Sequence, residues 1–256
     1  WKDVTIASNG SHCQSRLLDF SSFDSNSSQS FQNVKIINSN NCGVSSRGTV
    51  YVSDCENGFK LENMLIINTG YAGNFDGIEM FYTDNAQINN CLIINMYQST
   101  QPNSSVGIND RNYDGRLVTI NNCTISNFNT AVHSNEYSIT TINNSNISHN
   151  EFGIYNENNQ NFLDAENNWW GHSTGPYHPT SNTGGQGDSV NLYVDIDPFL
   201  SSPSTSAPIP LIKNIQITNI GNDYFSISWD ASAISDLSGY QIHYDSDESG
   251  YPYANS

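Results

Sequence analysis

Four residues of different chemistry occupy one recurring place in the chain. Glu79, Asn109, His133 and Tyr155 each stand two positions after a small residue, at Gly77, Gly107, Ala131 and Gly153. Asp76, Asp110, Arg111, Asp114 and Arg116 lie nearby in sequence. Two carboxylates at a set separation can hydrolyse a glycosidic bond, one as acid and the other as base or nucleophile. In that role Glu79 or Asp76 is the acid or base, Asp110 is the second carboxylate, and His133 completes the catalytic set. Asp76, Asn109, Arg111, Arg116 and Tyr155 then hold the substrate. Arg111 and Arg116 are two of only 8 basic side chains, and they suit an anionic group. The longer excursions 70–76 and 97–105 would wall such a glycan groove. A plainer reading is a solvated face on which Asp and Arg pair or sit at turns. It carries more weight, because no motif fixes the spacing.

The elements that must position these residues are written in a repeat. Asn33, Asn63, Asn90, Asn122, Asn144 and Asn167 sit in six alignable segments, at gaps of 30, 27, 32, 22 and 23 residues. Two positions before each stand Phe31, Leu61, Ile88, Ile120, Ile142 and Ala165, and three after stand Ile36, Ile66, Ile93, Ile125, Ile147 and Trp170. Each unit therefore reads as two short apolar strands meeting at a corner. The corner demands a left-handed backbone, which Asn tolerates better than most residues with a Cβ. Gly77-Ile78, Gly107-Ile108, Ala131-Val132 and Gly153-Ile154 mark a further strand per unit. Units this short cannot bury their apolar faces alone, and stacking gives them one shared core. Asn then lies over Asn as an amide ladder, and Cys91 over Cys123 as parallel thiols rather than a disulfide.

Composition narrows the class of protein. The chain has 256 residues, 25 acidic against 8 basic side chains, and a formal charge of −17. Nucleic acid and anionic membranes attract clustered Lys and Arg, so the charge rules against the first and argues against the second as partners. No apolar run is long enough for a membrane span. The 38 Asn, with abundant Ser and Thr, disfavour helix and suit an extracellular surface. Of five cysteines, Cys42 and Cys55 flank a Gly/Ser-rich stretch; a local disulfide and buried thiols are both open there. Both chain ends fall in strand patterns, which reads as a fragment of a longer protein with any signal peptide upstream.

The repeat resembles the right-handed parallel β-helix, the pectate-lyase-like solenoid of loosely repeating secreted proteins, over residues 1–200. The expected fold class is therefore all-β, a right-handed parallel β-helix solenoid plus a partial β-sandwich. Asn167-Asn168-Trp169-Trp170-Gly171, Gly175-Pro176 and Pro198-Phe199-Leu200 look like the end of such a solenoid, where paired Trp close the last coil. A sugar-stacking platform is the other use for that pair. Residues 201–210 read as a Ser/Pro linker. In 211–256, Phe225–Trp229 and Ser238–Tyr244 resemble two strands of a fibronectin type III domain, of which only the first half fits. Enzymes on the solenoid fold cleave polysaccharides with outward carboxylates, or with Ca²⁺ and a basic residue.

No cofactor is expected. His172 and His178 are too loosely spaced for zinc. Asp245-Ser246-Asp247-Glu248-Ser249-Gly250 weakly suggests a Ca²⁺ loop but lacks the later bidentate Glu. The expected function is a non-enzymatic extracellular module of a larger surface or secreted protein, in adhesion, assembly or glycan binding. Its partners would be a glycan, other copies, or other domains of the same polypeptide. A polysaccharide lyase or glycoside hydrolase is the alternative, and a passive spacer a third reading.

Overall fold

The computed structural model of the chain describes residues 4–7, 17–21, 29–38, 48–68, 76–96, 105–208, 215–218, 220 and 225–230. The chain divides into two compact units, Trp1–Leu211 and Ile212–Ser256.

The first unit is a parallel β-solenoid. Its strands form three sheets of six, eight and seven strands, here I, II and III. Each coil supplies one strand to sheet II, then III, then I. One coil runs Val106–Asp110, Leu117–Asn121 and Thr124–Ser126; the next runs Thr130–Ser134, Ile139–Asn143 and Asn146–Ser148. Among the described residues there is no helix.

The apolar columns expected from the repeat are real columns. Ile36, Ile66, Ile93, Ile125 and Ile147 are paired in register down sheet I. Phe31, Leu61, Ile88, Ile120 and Ile142 do the same in sheet III. All except Phe31 are at most 1% exposed. Full burial of such a side chain is worth roughly 1.5–3 kcal/mol, so shared columns supply the core that no single coil could. The small position before each sheet II apolar residue is also explained. A Cβ on Gly77 would lie 2.5 Å from the carbonyl oxygen of Gly107 in the next coil.

All six corner asparagines are left-handed, with φ between 52° and 58°. The N–H groups of Asn63, Asn90 and Asn122 donate to the carbonyls of Asn89, Asn121 and Asn143 one coil on. A side-chain amide bond joins Asn63 to Asn33 at 3.0 Å, and a buried one joins Asn68 to Asn95 at 2.9 Å. Asn90, Asn122 and Asn144 are aligned by their backbones. The position after the corner carries its own ladder. Cys91 N–H donates to Cys123 Sγ (3.4 Å), Cys123 N–H to Ser145 Oγ (3.0 Å), and Ser145 N–H to Asn168 Oδ1 (2.8 Å). Cys91 and Cys123 are buried free thiols, and burial pushes the Cys91 thiol well up from its ordinary value. The Cys42–Cys55 question falls outside the described residues at Cys42.

The Trp pair lies inside the last coil. Trp170 is fully buried and Trp169 is 7% exposed, so neither ring is a sugar platform. A Cβ on Gly153 would meet the Trp170 ring at 2.9 Å. Gly187–Val190 and Val194–Asp195 then extend sheets II and III past the final coil, covering edges that would otherwise be open.

Residues 201–208, expected as part of a free linker, lie against sheet I. Ser204 N–H donates to Asn146 Oδ1 (2.7 Å) and Ser204 C=O accepts from Asn146 Nδ2 (3.2 Å). One coil back, Thr124 Oγ1 donates to the Pro208 carbonyl. The Asn146 amide thus pairs with both backbone polar groups of Ser204, which composition alone does not announce.

In the second unit the described residues show one antiparallel pair, Gln216–Thr218 with Ser226–Ser228, in register Ile217 to Ile227. The strand pattern at 240–244 and the Asp245–Gly250 sequence lie outside the described residues.

Candidate functional site

The outer face of sheet II carries the expected column. Strand register sets Tyr51, Glu79, Asn109, His133 and Tyr155 side by side on successive coils. They point outward because Ile78, Ile108, Val132 and Ile154, one residue earlier, are fully buried, and side chains alternate along a strand.

The column is wired by hydrogen bonds between coils. Asn109 Nδ2 donates to Asp76 Oδ2 (2.8 Å). With the amide so oriented, Asn109 Oδ1 faces His133 Nδ1 at 3.0 Å, and that nitrogen must donate. His133 Nε2 lies 3.1 Å from Glu157 Oε1. The result is one line, Asp76–Asn109–His133–Glu157, across four coils. Burial, aided by the nearby Glu79 charge, pushes the Asp76 carboxyl up to about 7, against the pull of Asn109, the Val106 backbone and Arg111. Tyr155 stacks on His133 (6.0 Å between centroids, planes 15° apart), and Phe152 meets Tyr155 edge-on. Both Tyr155 and Phe152 are exposed.

Glu79 lies in the column but is covered. Its Oε2 accepts from Gly48 N–H and its Oε1 from Arg111 Nη1, each at 2.9 Å. The whole residue is 2% exposed. Asp110 does not join the face. It is fully buried on the opposite side of its strand, accepting from Thr140 Oγ1 (2.7 Å), Ser138 Oγ (3.1 Å) and Asn112 N–H (3.1 Å). Burial raises its carboxyl despite these bonds. Two residues past the inward Ile108, it shares Ile108's face. Arg116 is also elsewhere, 5.6 Å over the Tyr82 ring. The structure thus brings together Asp76, Glu79, Asn109, Arg111, His133 and Tyr155, and leaves out Asp110 and Arg116. Residues 70–75 and 97–104 of the expected walls lie outside the described residues.

Glu157 and Gly48 belong to this site and were not singled out from sequence. Glu157 was findable, since it stands two residues past Tyr155 on the same face. At the other end of these strands, Asn129 Nδ2 donates to Glu151 Oε2 (2.9 Å) while Asn129 Oδ1 accepts from Ser105 Oγ (3.0 Å).

Among the described residues no group of three or more His, Cys, Asp and Glu is placed to hold a metal ion, and no helix is long and apolar enough to cross a membrane. No family model matches the chain, and no curated protein or solved structure matches it.

Proposed function

We propose that the chain is an extracellular β-helix module of a larger surface or secreted protein, acting by binding in adhesion, extracellular assembly or glycan recognition. One observation carries this reading. Of the two carboxylates that hydrolysis requires, Glu79 has both oxygens engaged and Asp110 is interior, while the same face offers exposed Tyr155 and Phe152 beside a line of polar groups. Aromatic rings flanked by amides and carboxylates suit the apolar faces and hydroxyls of sugars. The acidic, Lys-poor composition supports an extracellular setting. The solenoid is read as right-handed and pectate-lyase-like, since parallel strand–crossover–strand connections are right-handed in nearly all sheets. The antiparallel pair in the second unit supports its reading as the first strands of a fibronectin type III-like domain.

The test is a panel of neutral and acidic polysaccharides assayed for both binding and new reducing ends or unsaturated uronate. Binding without turnover, weakened about ten-fold by Tyr155→Ala, is the expected result. Turnover abolished by Glu79→Gln would overturn it.

A second reading, a polysaccharide lyase or glycoside hydrolase acting on the same face, is favoured by Asp76. A carboxyl at about 7 can give or take a proton near neutrality. Turnover lost in Asp76→Asn, with binding retained, would establish that reading instead.

A further inference from the structure

A row of tyrosines runs beside sheet II and stops short. The rings of Tyr82, Tyr113 and Tyr137 follow one another with centroids 5.7 and 6.0 Å apart and planes tilted by 36° and 32°. Tyr82 holds its place at a backbone cost. Its φ is 48°, in the left-handed region where a bulky side chain is out of place. The equivalent residue one coil earlier is Asp54 at φ 55°, a type that tolerates the conformation. Strain of this sort persists where the surroundings impose it, and it clusters at functional places.

The row ends for a reason legible in register. Asp110, Ser134 and Asn156 are paired across three coils. Three residues beyond them stand Tyr113, Tyr137 and Asn159. Where the next coil would carry a third ring of this series, it carries an amide. A cavity of about 330 Å³ opens there, lined by Tyr137, Ile139, Glu136, Glu157, Asn159 and Gln160 among others. Tyr137 and Ile139 are 52% and 40% exposed. The opposite wall is already set. Asn156 Nδ2 donates to Asn161 C=O, and Asn158 Oδ1 accepts from the N–H groups of Gln160 and Asn161. Asn156 and Asn158 are themselves buried.

We infer that this cavity binds one pyranose ring of a neutral or amino sugar, stacked on Tyr137 as the next rung of the row. The apolar face of a sugar fits the Tyr137 ring and Ile139. Its hydroxyls, or an ammonium group, donate to the carboxylates of Glu136 and Glu157 and to the Asn159 and Gln160 side-chain oxygens. The Glu136 carboxylate, next in sequence, pushes the Tyr137 hydroxyl up from its ordinary value. Two carboxylates on a chain of charge −17 repel a uronate. Glu157 also holds His133, so the cavity adjoins the sheet II face. The inference rests on the glycan reading above and adds to it a separate site and a sugar class.

Trimers of glucose, glucosamine and galacturonate, titrated into the 256-residue chain and followed by ligand-observed NMR, test it. Glucose and glucosamine trimers should bind, and the galacturonate trimer should bind at least about ten-fold more weakly. Tyr137→Ala and Asn159→Tyr, which removes or pre-fills the rung, should each weaken binding about ten-fold, and Tyr137→Phe should leave it nearly unchanged. Exposed positions 137 and 159 tolerate these changes, which equal unfolding midpoints will verify. If Tyr155→Ala abolishes binding while Tyr137→Ala and Asn159→Tyr do not alter it, the cavity is not a site and the glycan reading of sheet II survives. If the galacturonate trimer binds best, the sugar class is wrong. If no sugar binds, both fall together.

Discussion

Arg111 reaches one coil back to Glu79, Nη1 to Oε1 at 2.9 Å, joining a guanidinium side chain that is 46% exposed to a carboxylate that is 3% exposed. The covered partner is the one that matters for stability. A buried carboxylate is costly unless donors meet it, and here they are Arg111 and the Gly48 N–H. The pair converts what looked like a reactive acid into a staple between neighbouring coils.

Arg111→Ala should therefore destabilise the solenoid by about 2–4 kcal/mol, because it strands a buried charge. Glu79→Gln should cost less, and the double variant should recover part of the loss. A double-mutant cycle by urea denaturation measures this; additive losses would show that the two side chains do not act together.

Stability should fall as pH rises toward neutrality. The carboxyls of Asp76 and Asp188 are both pushed up to about 7, chiefly by burial. In the unfolded chain an Asp ionises near ~3.9. The folded state thus binds these protons more tightly. The stabilisation is complete below about pH 4 and is lost as pH climbs through about 7, each group contributing no more than about 4 kcal/mol. Asp76→Asn and Asp188→Asn should each flatten the slope of unfolding free energy between those limits.

The corner conformation should be separable from the corner side chain. Asn122 has φ 52°. Asn122→Ala should cost roughly 1 kcal/mol and Asn122→Gly less, since glycine meets no Cβ penalty there. Equal losses in thermal melts would mean that the amide, and not the backbone, holds the corner.

Removing the cap should be severe. Trp170→Ala empties a fully buried site and is expected to cost about 3–5 kcal/mol, with aggregation as the open sheet ends become exposed. Gly153→Ala should mimic it more weakly by pushing on the same ring. Unfolding midpoints and light scattering report both.

Much of this architecture could be read before any coordinates. The corner asparagines and isoleucine columns are legible because a stacked repeat forces equivalent residues into one environment, and Asn33 to Asn167 satisfy it six times. The column Glu79–Asn109–His133–Tyr155 followed from the same periodicity. Asp110 was misplaced by setting aside the strand's own two-residue alternation, which puts it on the side of Ile108. The cover on Glu79 was not legible, because Gly48 belongs to a segment outside the repeat and 31 residues away. The docking of 201–208 escaped for a different reason. A Ser/Pro composition reports no strand and no helix, yet the backbone of one residue, Ser204, can still be captured by one well-placed amide, Asn146.

That capture has a mechanical consequence. Because the chain doubles back from Ser204 beside Asn146 to Pro208 beside Thr124, tension applied beyond Pro208 enters the solenoid on the flank of sheet I, inboard of the terminal tryptophans. A pull would first unzip the 201–208 strap, one contact at a time, before it drew on the tryptophans behind it.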